Sequence, residues 1–155
     1  MNNNFVQLSS AELAQANRLQ QQISQKEFEI KLVNINSVHL SSQDASSYFY
    51  NQQRKQLLET EISNLKVQRD NHINMAITYA LALADGELTQ RYTFSSASLL
   101  LVNIRSFLTI QSIMPVVSLP VMVRISLLNS RLQKSVGHAS LKQELMNFKS
   151  QLQIP

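Results

Sequence analysis

Only two glycines, Gly86 and Gly137, punctuate this chain of 155 residues, and from Ser46 to Ala84 neither glycine nor proline occurs. Glycine usually makes up about 7% of a sequence, and it supplies the positive backbone angles that tight hairpins and phosphate-binding loops require. A sheet protein of this length would need many such turns, whereas a helical one needs few. The expected fold is therefore all-α: a four- to five-helix bundle with one long central helix (about 46–85) and a proline-bent apolar helix pair (about 97–136). The length suits one domain with a contiguous core. Residues 1–155 are read as a single helical domain, with elongated coiled-coil-like helices over 1–86 and apolar and basic helices over 87–155.

Periodicity places the helices. Ser9-Ser10-Ala11-Glu12 matches a capping box, which predicts a helix start there. Ala16, Ile23 and Ile30 recur every seven residues, with Leu19 and Val33 offset by three, and give one seam that Lys26 interrupts. Phe28 to Ile35 also alternates as a strand would, but a lone strand would have no partner, so helix is preferred. The turn-forming cluster Ser41-Ser42-Gln43-Asp44 separates this helix from the next. In the second helix Leu58, Ile62, Leu65, Ile73, Ala76, Ile77, Ala80 and Leu83 share a face, and Gly86 is placed to end it in a left-handed cap. Glu87 to Phe94 reads as a connection.

The third helix is expected from a Ser95 or Ser96 cap to about Met114, buried on most sides. Its polar residues Ser98, Arg105, Thr109 and Ser112 form one narrow stripe. Pro115 disfavours helix in the residue before it, Val116 to Leu119 is an extended bridge, and Pro120 suits the first turn of a fourth helix ending near Gly137. A last amphipathic helix carries Leu141, Leu145, Phe148 and Leu152.

Several chemistries lack their residues. There is no cysteine, hence no disulfide, thiolate nucleophile or sulfur-ligated zinc. His39, His72 and His138 are scattered, with no spacing that sets two ligands on one helix face. The glycine-dependent phosphate loop and serine elbow are missing. His72 stands two residues from Asp70, which points the two side chains apart on a helix, and Glu59 and Glu61 are separated in the same way. The expectation is a non-enzyme with no catalytic residue, metal site, cofactor or small-molecule substrate.

The charge pattern directs attention to the carboxy-terminal half. Residues 1–120 hold nine basic and nine acidic side chains and residues 121–155 hold five and one, so the net +4 arises entirely in the latter. No acid occurs from Leu88 to Gln143. Arg124, Arg131, Lys134 and Lys142 are the candidate polyanion-facing residues, aligned with His138 if a helix runs unbroken through Gly137; the ordinary alternative is a solvated face opposite Val121, Ile125, Leu128 and Leu132. Ser106 to Val123 carries no charge, and its eighteen residues reach the lower limit for crossing a hydrocarbon core of about 30 Å. Pro115 and Pro120 divide it, which favours a bent core pair over a straight span. Phe107, Ile110, Ile113, Val117 and Val121 are its candidate interface or membrane-facing residues. Tyr48-Phe49-Tyr50 followed by Arg54-Lys55 could stack bases, but packing against the preceding turn is the preferred reading.

Charged residues form 15% of the chain, against about 25% in an average protein, and thin surface charge favours close association. The first expectation is a non-enzymatic structural or assembly subunit that packs with itself or with partner helices in a larger complex of the secretion, injection or virion type. The alternatives are a membrane-active protein inserting residues 106–123 and a nucleic-acid-binding bundle using the basic carboxy-terminal helices. The residues Met1 to Leu8 lack the n- and h-regions of a secretory signal, so cytoplasmic synthesis is expected, with the final location left open to a large or membrane-associated assembly.

Overall fold

The computed structural model describes residues 2–40, 45–89 and 95–155, and their side chains at 4–36, 45–89 and 95–155. The described residues are all-helical, with α1 Asn2–Leu40, α2 Ala45–Glu87, α3 Ser96–Ile110, α4 Leu119–Lys134 and α5 Ala139–Gln151. The expected all-α bundle of four to five helices is thus the observed class. The expected turn at Ser41–Asp44, most of the 87–94 connection and the side chain of His39 lie outside the described residues. Two compact units are present: Ala16–Arg69, and Met1–Gln15 together with Asp70–Pro155.

Within Ala16–Arg69 the segments of α1 and α2 run antiparallel, as their polar pairs show. Gln20 Oε1 accepts from Arg69 at 2.7 Å, Lys26 meets Glu61 at 2.7 Å, and Glu29 meets Arg54 at 3.3 Å, ascending one helix and descending the other. Ala16, Ile23, Val33, Leu58 and Ile62 are buried along the seam. Lys26 interrupts that seam without breaking it, because its long stem lets the ammonium reach Glu61. Phe28 to Ile35 is helical throughout, and the alternation there leaves Phe28, Leu32 and Ile35 exposed.

In the other unit, α1 starts well before the expected capping box. Ser9 is buried inside the helix and its Oγ donates to the Ala76 carbonyl at 2.8 Å, while Glu12 pairs with His72 of α2. The two polar side chains found partners on the neighbouring helix, so they were not needed as caps. The end of α2 also differs from expectation: Gly86 lies within the last helical turn, and the helix continues to Glu87. The Glu87 carboxylate accepts from Ser95 Oγ at 2.6 Å and from the Ala97 amide at 3.0 Å. A carboxylate at that helix start also complements its dipole.

Helix α3 stops at Ile110, short of the expected Met114. Its Schellman motif explains the early end: Ser112 takes φ 53, its N–H reaches the Thr109 carbonyl at 3.2 Å, and the Ile113 N–H reaches the Leu108 carbonyl at 2.9 Å. Leu108 and Ile113 are both buried, which adds the apolar contact that accompanies this motif. The same geometry closes α5, where Gln153 takes φ 57 and Ile154 N–H bonds the Lys149 carbonyl at 2.9 Å. The pair around the prolines is therefore two helices joined by a non-helical stretch, with Pro120 in the first turn of α4 as expected. Helix α5 packs against both α3 and α4 and buries Leu141, Leu145 and Phe148.

Candidate functional site

The non-helical stretch between α3 and α4 has backbone groups that no helix satisfies, and α2 satisfies them. Asp70 Oδ2 accepts from the Val116 amide at 3.1 Å. One turn on, Asn74 donates through Nδ2 to the Val116 carbonyl at 2.8 Å and accepts at Oδ1 from the Ser118 amide at 2.8 Å. A primary amide matches a peptide group in this way, one donor and one acceptor side by side. The i, i+4 spacing puts both side chains on one face of α2, and they strap the start of α4 to that helix.

Once α4 is held beside α2, a furrow opens between them. Its wider part, about 610 Å³, is lined by Ala82, Asp85, Arg124, Leu127, Leu128, Ser130, Arg131 and Lys134. A smaller depression of about 250 Å³ is lined by Asn74, Met75, Thr78, Ser118, Pro120, Val121 and Arg124. Arg124 lines both. Three of the four candidate basic residues thus share one concave surface, and all three are exposed. The only acid among its described lining residues is Asp85, whose Oδ1 accepts from Arg131 Nη1 at 2.8 Å, with both side chains about half exposed. Arg124, Leu127, Leu128, Arg131 and Lys134 meet here because spacings of three, four and seven return to one side of a helix.

Lys142 has another job. The helix does not pass through Gly137: that residue takes φ 92, His138 follows at φ 56, and α5 begins anew with the Lys142 amide donating to the His138 carbonyl at 2.9 Å. The Lys142 ammonium donates to the carbonyl of Ser135, the residue capping α4, at 2.9 Å. A cation there satisfies an orphan carbonyl and complements the α4 dipole.

The polar stripe of α3 faces α5. Ser98 Oγ lies 3.2 Å from Ser140 Oγ, Arg105 Nε and Nη2 donate to the two Glu144 oxygens at 2.8 and 3.3 Å, and Gln151 Nε2 donates to Thr109 Oγ1 at 3.0 Å and to the Arg105 carbonyl at 3.1 Å. Glu144 is buried. The hydrogen bond to Glu144 holds the Arg105 guanidinium above its ordinary pKa against the opposing effect of burial, and the attraction of the carboxylate adds to it. With its polar side turned inward, α3 leaves Leu99 and Ile110 on the outside, so it is not buried on most sides as expected.

The five apolar candidates are divided by this arrangement. Ile113 and Val121 are buried, Phe107 and Val117 are half-buried, and Ile110 is 76% exposed. Outside that set, Leu119, Val123 and Leu127 form an exposed row on α4. In the Ala16–Arg69 unit, Tyr48, Phe49 and Tyr50 are exposed, the turn against which they are expected to pack lies outside the described residues, and Arg54 is paired with Glu29. Among the described residues no helix is long and apolar enough to cross a membrane. No group of three or more histidine, aspartate or glutamate side chains among them could hold a metal ion.

No known protein family, curated protein or solved structure matches this chain.

Proposed function

We propose that this protein is a non-enzymatic structural subunit that packs, through its exposed helix faces, with copies of itself or with partner helices in a larger complex of the secretion, injection or virion type. The observation that carries this reading is a pair of exposed apolar rows at helical spacing. Phe28, Leu32 and Ile35 follow one another along α1, and Leu119, Val123 and Leu127 follow one another along α4. Isolated exposed leucines are ordinary, but rows of them at intervals of three and four present a continuous face for another helix.

Magnitudes limit how such a face can be used. Fully burying a side chain of this kind contributes about 1.5 to 3 kcal/mol, and these are already partly covered. Three such side chains on one row, about half covered already, therefore contribute roughly 2 to 5 kcal/mol, which reaches only the lower end of the cost of association, about 4 to 15 kcal/mol. Several faces, or many copies, must act together, which favours an assembly over a simple pair.

The test is the oligomeric state by size-exclusion chromatography with light scattering over a range of concentrations. Self-association is expected to increase with concentration and to be lost in Leu119→Glu/Val123→Glu and in Phe28→Glu/Leu32→Glu. A wild-type chain that stays monomeric, and gains no mass in the presence of candidate helical partners, would sink the reading.

A further inference from the structure

We infer that the furrow between α2 and α4 is a docking site for an acidic, amphipathic segment of a partner protein. This rests on the reading of the chain as an assembly subunit and names the chemistry of one partner. Three features of the furrow choose the occupant. It is elongated: its lining advances from Asn74 to Asp85 on α2 and from Ser118 to Lys134 on α4, which along α2 is about 17 Å at 1.5 Å per residue. A compact anion would fill one end, whereas a short helix or extended peptide fills the length. It is polarised as well. Met75, Pro120 and Val121 line one depression, Arg131 and Lys134 the other, and Arg124 lines both.

The third feature is the charge. Arg124, Arg131 and Lys134 face one acid, Asp85, on a stretch of chain that contributes no acid from Leu88 to Gln143. Arg131 meets the Asp85 carboxylate through Nη1, which leaves further N–H groups of its guanidinium to face an incoming carboxylate. A guanidinium matches a carboxylate with paired donors. A nucleic-acid strand fits less well: no aromatic side chain among the described lining residues offers base stacking, and the exposed Leu127 beside the cations offers an apolar surface that a phosphate backbone does not use. The apolar residues suit the leucines or alanines of an amphipathic segment, with its acidic end toward Arg131 and Lys134.

The experiment uses the full chain and a fluorescein-labelled helical peptide of about 14 residues, leucine and alanine in one half and glutamate at every third or fourth position of the other, read by fluorescence anisotropy. Its glutamine counterpart and an oligothymidylate are the comparison probes. Saturable binding of the glutamate peptide is expected, weakened about tenfold or more by Arg124→Glu or Lys134→Glu and by raised salt. Asp85→Asn is expected to tighten it by a few-fold, a gain that misfolding cannot mimic. Equal binding of the glutamine peptide, tighter binding of the oligothymidylate, or weaker binding by Asp85→Asn would each overturn the assignment. Leu127 belongs both to the α4 row and to the furrow lining, but the substitutions that test self-association, at Leu119 and Val123, lie outside that lining and the peptide readouts do not depend on self-association, so the two proposals fail separately.

Discussion

At the scale of single residues, the carboxy-terminal helices depend on two polar contacts that composition conceals. Arg105 and Glu144 form a two-point ion pair with the carboxylate buried and the guanidinium partly exposed. Arg105→Ala would leave Glu144 buried without its counter-ion and is expected to cost about 3 kcal/mol, the lower part of the range for breaking a buried pair. Urea denaturation measures this. Replacing both with leucine should restore most of the loss, because an apolar pair needs no solvation. Asn74→Leu should likewise strip partners from the exposed Val116 carbonyl, where water can take over, and from the part-buried Ser118 amide, at about 1 kcal/mol, and hydrogen exchange at Ser118 should accelerate. Neither contact was legible in the chain. Arg105 was visible as part of a stripe on α3, but polar residues on an apolar helix normally read as its wet side, and the buried Glu144 that reverses this lies 39 positions away. Asp70 and Asn74 left a faint sign, a polar i, i+4 pair beside the buried run from Ile73 to Ala84.

At the scale of elements, helix existence followed from periodicity and helix ends followed from partners. The seam positions Ala16, Ile23, Leu58 and Ile62, and the set Leu141, Leu145, Phe148 and Leu152, were readable because burial repeats with the helical turn. The ends were not, since Ser9 and Gly86 carry strong local signals that neighbouring elements override. Conversely, α3 and α5 end at serine and glutamine in left-handed conformations, residues with no special mark in the sequence. Such a conformation costs a side chain-bearing residue about 1 to 2 kcal/mol, so Ser112→Gly should stabilise by about 0.5 to 1 kcal/mol after glycine's larger loss of freedom is subtracted. The opposite exchange is expected at Gly137, where φ is 92 and no atom lies within 4 Å of an added methyl group. Gly137→Ala should therefore destabilise through the backbone alone, by about 1 to 2 kcal/mol. Thermal unfolding of the two variants should move in opposite directions.

At the scale of the whole molecule, the separation of charge anticipated the furrow, whereas apolar patterning misplaced the exposed rows. Arg124, Arg131 and Lys134 were recognisable together because their spacing on one helix is local information. Which apolar side chains remain uncovered depends on how helices pair, and that depends on contacts far apart in the chain. If the assembly reading holds, substitutions on the α1 row and on the α4 row should each lower the mass seen by light scattering while leaving helicity by circular dichroism unchanged. The pairing of α3 with α5 has a consequence for the order in which the chain is made. Translation delivers Arg105 well before Glu144, so α3 leaves the ribosome with a guanidinium lacking its mate and an apolar flank lacking its cover. Until about forty more residues have followed, a state of this kind attracts chaperones or neighbouring nascent chains, and ribosomes translating one message in file would bring such unfinished helices close to one another.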